Sequence, residues 1–335
     1  MTARALIEGA AAIAGEERVV ATVVEVIGSS YRRPGARLIV TRERRVAGAI
    51  SGGCLEGDVL RRGFWRTEGG PAVVTYDASD DGTGSGCSGV IDVLLERAPI
   101  AGVDPISVLA RCMREQRRAT VVTRFRGGFH RAELVDGTLA GMPDLEAPAR
   151  AATATIVFEQ RALIEVLAPP PRLFVLGAGI DAVPVIEQAR AVGWEVIACA
   201  PYARPELRTR LQRADRLLIG GPAEIAREID ASDRAAALVM NHDYVHDRAC
   251  LGAVLGSAAR YVGALGPRRR TAQMLDELGM PGDARLHAPV GLELGAENAE
   301  EIALAIVAEV QAVLAHAPAH SLRARLGPIH DVAAV

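Results

Sequence analysis

Two cysteines stand in settings that suit chemistry. Cys54 lies in "SGGCLEGD" (51–58), directly after Gly52 and Gly53 and just before what reads as the first turn of a helix carrying Glu56. Cys87 follows thirty-three residues on, in "DGTGSGCSG" (81–89). A sulfhydryl at a helix N-terminus gains thiolate character, because the dipole and the unpaired N–H groups favour the anion. Adjacent glycines let another group come close, and a loop as glycine-rich as the second can turn its backbone N–H groups into an anion-binding nest. Upstream, "GSSYRRPGAR" (28–37) sets Arg32, Arg33 and Arg37 around a Pro-Gly turn. Thiols, guanidiniums and exposed amides together suit a ligand that carries a phosphate and a soft centre, either sulfur or a thiophilic metal.

A second constellation lies in "LFVLGAGIDAVP" (173–184). Gly177, Gly179 and Ala182 fit the dinucleotide fingerprint, alanine being permitted at its third position, between a strand and a helix. An acid that would hold the ribose of NAD belongs at the end of the next strand, which instead reads "IACAPYAR" with Ala200 and Pro201 there. Arg204 nearby favours NADP if either. NAD(P), another phosphate-bearing ligand, and a fold that has lost NAD all stay open. "MNHDYVHD" (240–247) places Asn241, His242 and Asp243 at the carboxyl edge of the same sheet, where such folds bind ligands. Asp243 or Asn241 is expected to cap a helix while His242 points into the cleft; His246, one turn on, makes a metal pair conceivable. "GPRRR" (266–270) is either solvated charge or a further anion contact.

Composition narrows the classes. A chain of 335 residues, half of them hydrophobic and 24% charged, predicts two globular domains. The net charge of −3 gives no reason to expect nucleic acid. All 38 basic residues are arginine, which excludes a lysine Schiff base and a P-loop lysine. Five scattered cysteines without a C-x-x-C pair argue against a disulfide framework or structural zinc. Cys112, Cys199 and Cys250 read as apolar filler. With no apolar run of bilayer length and no signal-type core, no membrane is expected and a cytoplasmic location is.

The elements that must position these residues follow from periodicity. An amphipathic first helix precedes the β-rich "RVVATVVEVIGSS"; "ARLIVT" and "RVAGAIS" form a hairpin through "RERR"; "LEGDVLRRGFWRTEG" is a helix; "AVVTYD" and "GVIDVLLERA" are strands. A helix over 105–117 and strands at "ATVVTRF", "RAELV" and "ALIEVL" complete a mixed α+β domain, residues 1–168. "APPP" (168–171) is the linker. Strands "RLFVLG", "WEVIACA", "RLLIGG", "AAALVMN" and "YVGALG" alternate with helices, ending in "AENAEEIALAIVAEVQAVLAH". That alternation predicts a Rossmann-type, doubly wound parallel-sheet domain over 172–316, with a tail over 317–335. The fold class is α/β.

"GSSYRRPGARLIV", "GAISGGCLEGDV" and "GSGCSGVIDVLLE" resemble the N-terminal signature of the xanthine dehydrogenase accessory (XdhC/CoxI) family. "VLGAGIDAVPVIEQARAVGWEV", "MNHDYVHD", "YVGALGPRRR" and "HAPVGLELGAENAEEIALAI" resemble its C-terminal Rossmann-type domain. The resemblance runs through nearly the whole chain in order. It implies a cytoplasmic protein that binds molybdenum cofactor (molybdopterin), protects it while a cysteine desulfurase supplies the terminal sulfido ligand, and delivers it to a molybdenum hydroxylase of the xanthine dehydrogenase type. The residues carried over are Cys54 and Cys87, which would meet the metal through the cofactor, the arginines of 32–37, and the Gly177 turn. Many members have an acid where this chain has Ala200, which weakens NAD chemistry and leaves the thiol loops untouched. An accessory factor without turnover is thus the leading expectation, as a homodimer and with cargo held in a cleft between the domains. The alternatives are an NAD(P)-dependent oxidoreductase using Cys54 or His242, and a redox sensor pairing Cys54 with Cys87.

Overall fold

The computed structural model describes residues 2–28, 30–77, 89–100, 102–202, 205–232, 234–280 and 282–324. Cys87 and Arg204 lie outside them, as does most of the tail, so every expectation resting on Cys87 falls outside the described residues. The chain divides at Pro169 and Pro170 into two compact units.

The first unit begins with α1 (Ala3–Ala12), capped by the Thr2 hydroxyl on the Ala5 amide. β1 (Arg18–Gly28), β2 (Arg37–Val40) and β3 (Arg45–Gly48) lead into α2 (Glu56–Arg66), and β4 (Ala72–Asp77) and β5 (Gly89–Ala98) follow. These strands form one antiparallel sheet in the order β3-β2-β1-β5-β4. β1 is central and buried on both faces: Val19, Ala21 and Val23 meet Val59 and Phe64 of α2, while Val20 packs with Leu6 of α1. Burying Val59 and Phe64 stabilises the helix on the sheet by about 1.5–3 kcal/mol each.

After α3 (Pro105–Glu115) come β6 (Ala119–Arg124), β7 (His130–Val135), β8 (Thr138–Leu139), the short α4 (Glu146–Ala151), β9 (Ile156–Phe158) and β10 (Ala162–Leu167). They build a second antiparallel sheet, β8-β7-β6-β10-β9. Hydrophobic periodicity gives three of its strands; β8, α4 and β9 are too short to show a period. Apolar contact between the sheets is small, through Val24, Leu94, Phe125 and Leu163. Buried ion pairs do much of the joining. Arg37 on β2 meets Glu165 on β10, and Arg131 on β7 meets Glu96 on β5.

The second unit alternates β11 (Arg172–Leu176), α5 (Ala182–Ala191), β12 (Glu195–Ala200), α6 (Pro205–Arg210), β13 (Arg216–Ile219), α7 (Pro222–Asp230), β14 (Ala235–Val239), α8 (Tyr244–Leu255), β15 (Tyr261–Ala264), α9 (Arg268–Leu278), β16 (Leu286–His287) and α10 (Ala299–Leu314). Its sheet is parallel throughout, ordered β13-β12-β11-β14-β15-β16, so the strand order reverses between β11 and β14. Alternate strand residues pack against α5 and α10 on one face and α7, α8 and α9 on the other. The sixth strand is only two residues long, too short for periodicity to reveal. Among the described residues no helix is long and apolar enough to cross a membrane.

Candidate functional site

Cys54 sits on a turn built from its own neighbours. The carboxylate of Glu56 folds back from the head of α2 and accepts from the Ile50 N–H at 3.0 Å and the Ser51 N–H at 2.9 Å. Its other oxygen accepts the Ser51 hydroxyl. That hydroxyl in turn accepts from the Gly53 and Leu55 N–H groups, both at 3.1 Å. Burial alone would raise the Glu56 carboxyl, but these donors outweigh it and hold it below its ordinary value. Gly53 has φ +130°, a conformation that L side chains rarely adopt, and a Cβ at Gly52 or Gly53 would meet nothing within 4 Å. The turn is pinned from inside and open outside, with Cys54 exposed on it.

The helix below the turn is anchored as well. Asp58 accepts from Arg66 at 2.6 Å and from the Tyr76 hydroxyl on β4 at 2.8 Å. Burial first, then the bond to Asp58, pushes Tyr76 up to about 12. Arg32, Arg37, Gly48 and Ala49, the last of them one residue before the turn in sequence, line a cavity of about 110 Å³. Arg32 Nε is buried without a hydrogen-bond partner among the described residues. The space suits a small anion or a few waters, and lies well below the roughly 300 Å³ that encloses a drug-sized ligand.

Several residues expected at a ligand have other commitments. Arg37 is the clearest case. Its NH2 donates to both Glu165 oxygens, at 2.8 and 2.7 Å, with the two side chains 5% and 2% exposed. A guanidinium taken out of water needs such a partner, and Glu165 comes from another sheet, far along the chain. Arg33 is exposed, its carbonyl closing the turn with the Ala36 N–H. Glu56 points into its own turn, where its carboxylate accepts from Ile50 and Ser51. Ser51, which completes that turn, carries no motif of its own: its partner carboxylate lies five residues on, outside the three-residue spacing of a capping box.

In the second unit the glycine turn forms. Gly177 has φ +153°, and a Cβ there would lie 2.4 Å from the Met240 carbonyl oxygen. Ala182 is fully buried at the start of α5. Asp243 caps α8 by accepting the His246 N–H at 2.7 Å. Asn241 turns inward, its N–H and side-chain amide both donating to the buried Asp247 at 2.9 Å. Arg270 donates to the same carboxylate at 2.8 Å, so one arginine of "GPRRR" is structural. His242 meets Asp181 at 2.7 Å while His246 faces Cys250 at 3.7 Å, so the two imidazoles have separate partners. Among the described residues no cluster of three metal-ligating side chains forms. Cys112, Cys199 and Cys250 are buried, and burial raises all three thiols.

Likeness to known proteins extends over both units. The XdhC Rossmann domain model matches residues 173–310, and the XdhC and CoxI family model residues 11–77. A probable xanthine dehydrogenase subunit of Bacillus subtilis (strain 168) is 32% identical over 315 residues, 88% of this chain and 92% of that protein. The molybdenum cofactor insertion chaperone PaoD of Escherichia coli (strain K12) is 25% identical over 319 residues, 91% and 86% of the two chains. A crystal structure described as a xanthine dehydrogenase from Bacillus halodurans superposes with a TM-score of 0.78 at 28% identity, covering 96% of this chain and 98% of that one. With a relative this similar along nearly its whole length, and both parts of the chain matched in order, the protein belongs to the XdhC and CoxI family.

Proposed function

We propose that this protein is a molybdenum-cofactor chaperone, holding the cofactor during sulfuration and passing it to a molybdenum hydroxylase of the xanthine dehydrogenase type. The observation that carries the reading is the Cys54 turn: a sulfur donor exposed on a rigid, glycine-opened bend, in a chain similar to PaoD over most of its length. Sulfur is the protein ligand suited to a soft metal centre. Arg32, a guanidinium lining the small cavity with Gly48 and Ala49, is suited to the cofactor's phosphate. That cavity admits one such group and not a whole pterin, so the heterocycle would lie across the open glycine face. A cysteine desulfurase as sulfur donor and a hydroxylase as recipient are the partners this reading requires, and Cys87 would be a second donor.

The protein purified from a cofactor-producing host is expected to carry pterin and molybdenum and to activate a hydroxylase lacking the cofactor. Cys54→Ala is expected to retain about tenfold less cofactor or worse, since each 1.4 kcal/mol of lost contact is tenfold. Cys112→Ala, whose thiol is buried between α3 and β10 with the Leu167 carbonyl at 3.6 Å, is expected to retain it as the native chain does. Bound pterin and metal are read by mass spectrometry. Equal losses in the two variants would remove Cys54 from the site, and absence of both cargo and transfer in the native chain would end the reading.

A further inference from the structure

The Rossmann fold implies a dinucleotide, yet the second unit carries a carboxylate where that ligand's pyrophosphate needs room. Gly179 is the position at which the fingerprint brings backbone close to phosphate oxygens. A Cβ built there would lie 2.2 Å from Asp181 Oδ1 and 3.5 Å from His242 Cδ2, so the acid and the ring already cover that face of the turn. Asp181 is the N-cap residue of α5 but makes no side-chain cap bond, leaving the helix amides unserved by it. It is held instead by His242, whose Nε2 stands 2.7 Å from Oδ2. His242 adopts φ +61°, a left-handed backbone uncommon outside glycine, three residues past the end of β14. A second, independent feature agrees. β12 ends in buried Ala200, so the strand offers no carboxylate to the ribose hydroxyls.

We infer that Asp181, positioned by His242, closes the glycine turn to phosphate anions, and that NAD(H) and NADP(H) are not ligands of this domain. A pyrophosphate entering the turn would meet a like charge and a side chain already occupying the space its oxygens need. Asp181 thus decides what the crevice refuses. The inference is independent of the chaperone reading, and neither falls with the other.

Isothermal titration of the full chain with NADH and with NADPH tests it. The native protein is expected to show no saturation up to about 1 mM. Asp181→Ala and Asp181→Ser, serine being a good N-cap residue, are expected to gain affinity for at least one dinucleotide by about tenfold or more. His242→Ala keeps the charge and removes only its positioning partner, so it is expected to gain less than either position-181 variant. Micromolar binding by the native chain overturns the inference. So does the lack of any gain in position-181 variants whose circular dichroism is native, or an equal gain in His242→Ala.

Discussion

Glu56→Ala is expected to destabilise the first unit by about 3 kcal/mol and to release the turn that presents Cys54. The side chain sits in a residue only 1% exposed and accepts from two backbone N–H groups and one hydroxyl. Truncation leaves those donors buried without an acceptor, each costing about 1–3 kcal/mol where water cannot replace the carboxylate. Glu56→Gln is the finer test. The Ser51 oxygen already accepts twice, so its hydrogen must go to the residue at 56. An amide nitrogen facing that hydroxyl presents donor to donor, at a cost of about 1–3 kcal/mol. Hydrogen exchange at the Gly53 and Leu55 amides reads the turn directly, and denaturant unfolding reads the unit. Native exchange at both amides in Glu56→Ala would show that the carboxylate is not the anchor.

The same carboxyl gives the turn a pH dependence whose sign follows from its lowered value. A group depressed on folding contributes stability above its unfolded pKa, and that contribution is lost as pH falls through the folded value. Exchange at Gly53 and Leu55, corrected for intrinsic rates, is therefore expected to be flat near neutrality and to accelerate on acidification below the ordinary glutamate range. Glu56→Gln should flatten that acid limb. For the chaperone reading, cargo retention should fall along the same limb, because the rigidity of the bend keeps Cys54 and the glycine face together.

Much of this architecture is legible in residue order. The prolines at 169–171 fall at the junction of the two units, and five of the six parallel strands announce themselves as apolar runs between helical stretches. Strands of two or three residues, such as β8 and β16, leave no period to read. The thiol turn is half legible. "SGGC" before a helix marks a bend with an exposed cysteine, but Ser51 and Glu56 acquire meaning only when the backbone closes and brings hydroxyl, carboxylate and amides within bonding distance. Asp181 sits inside the fingerprint itself, and its effect depends on where the loop after β14 brings His242. Arg37 is the sharpest lesson, since an arginine beside a Pro-Gly turn has the local pattern of an anion ligand while its partner Glu165 is contributed from 128 residues away.

Glu165→Ala should accordingly be among the most damaging substitutions in the first unit, at about 3–5 kcal/mol, because it strands the Arg37 guanidinium in the interior with the Gly35 carbonyl as its remaining hydrogen-bond acceptor among the described residues. Arg37→Met combined with Glu165→Leu removes both charges and keeps similar volume, and such replacements are commonly neutral or stabilising. The double variant is therefore expected to recover most of the stability lost in Glu165→Ala, measured by urea unfolding of the full chain. It also separates two roles for Arg37. If the guanidinium only joins the sheets, the recovered double variant retains cofactor as the native protein does; if it grips the cargo, stability returns without retention. The pairing geometry, with both Glu165 oxygens taken by one guanidinium nitrogen and both side chains almost wholly out of solvent, predicts the first outcome. It leaves Arg32, whose Nε has no partner among the described residues, as the arginine of this turn whose loss should cost cargo and spare the fold.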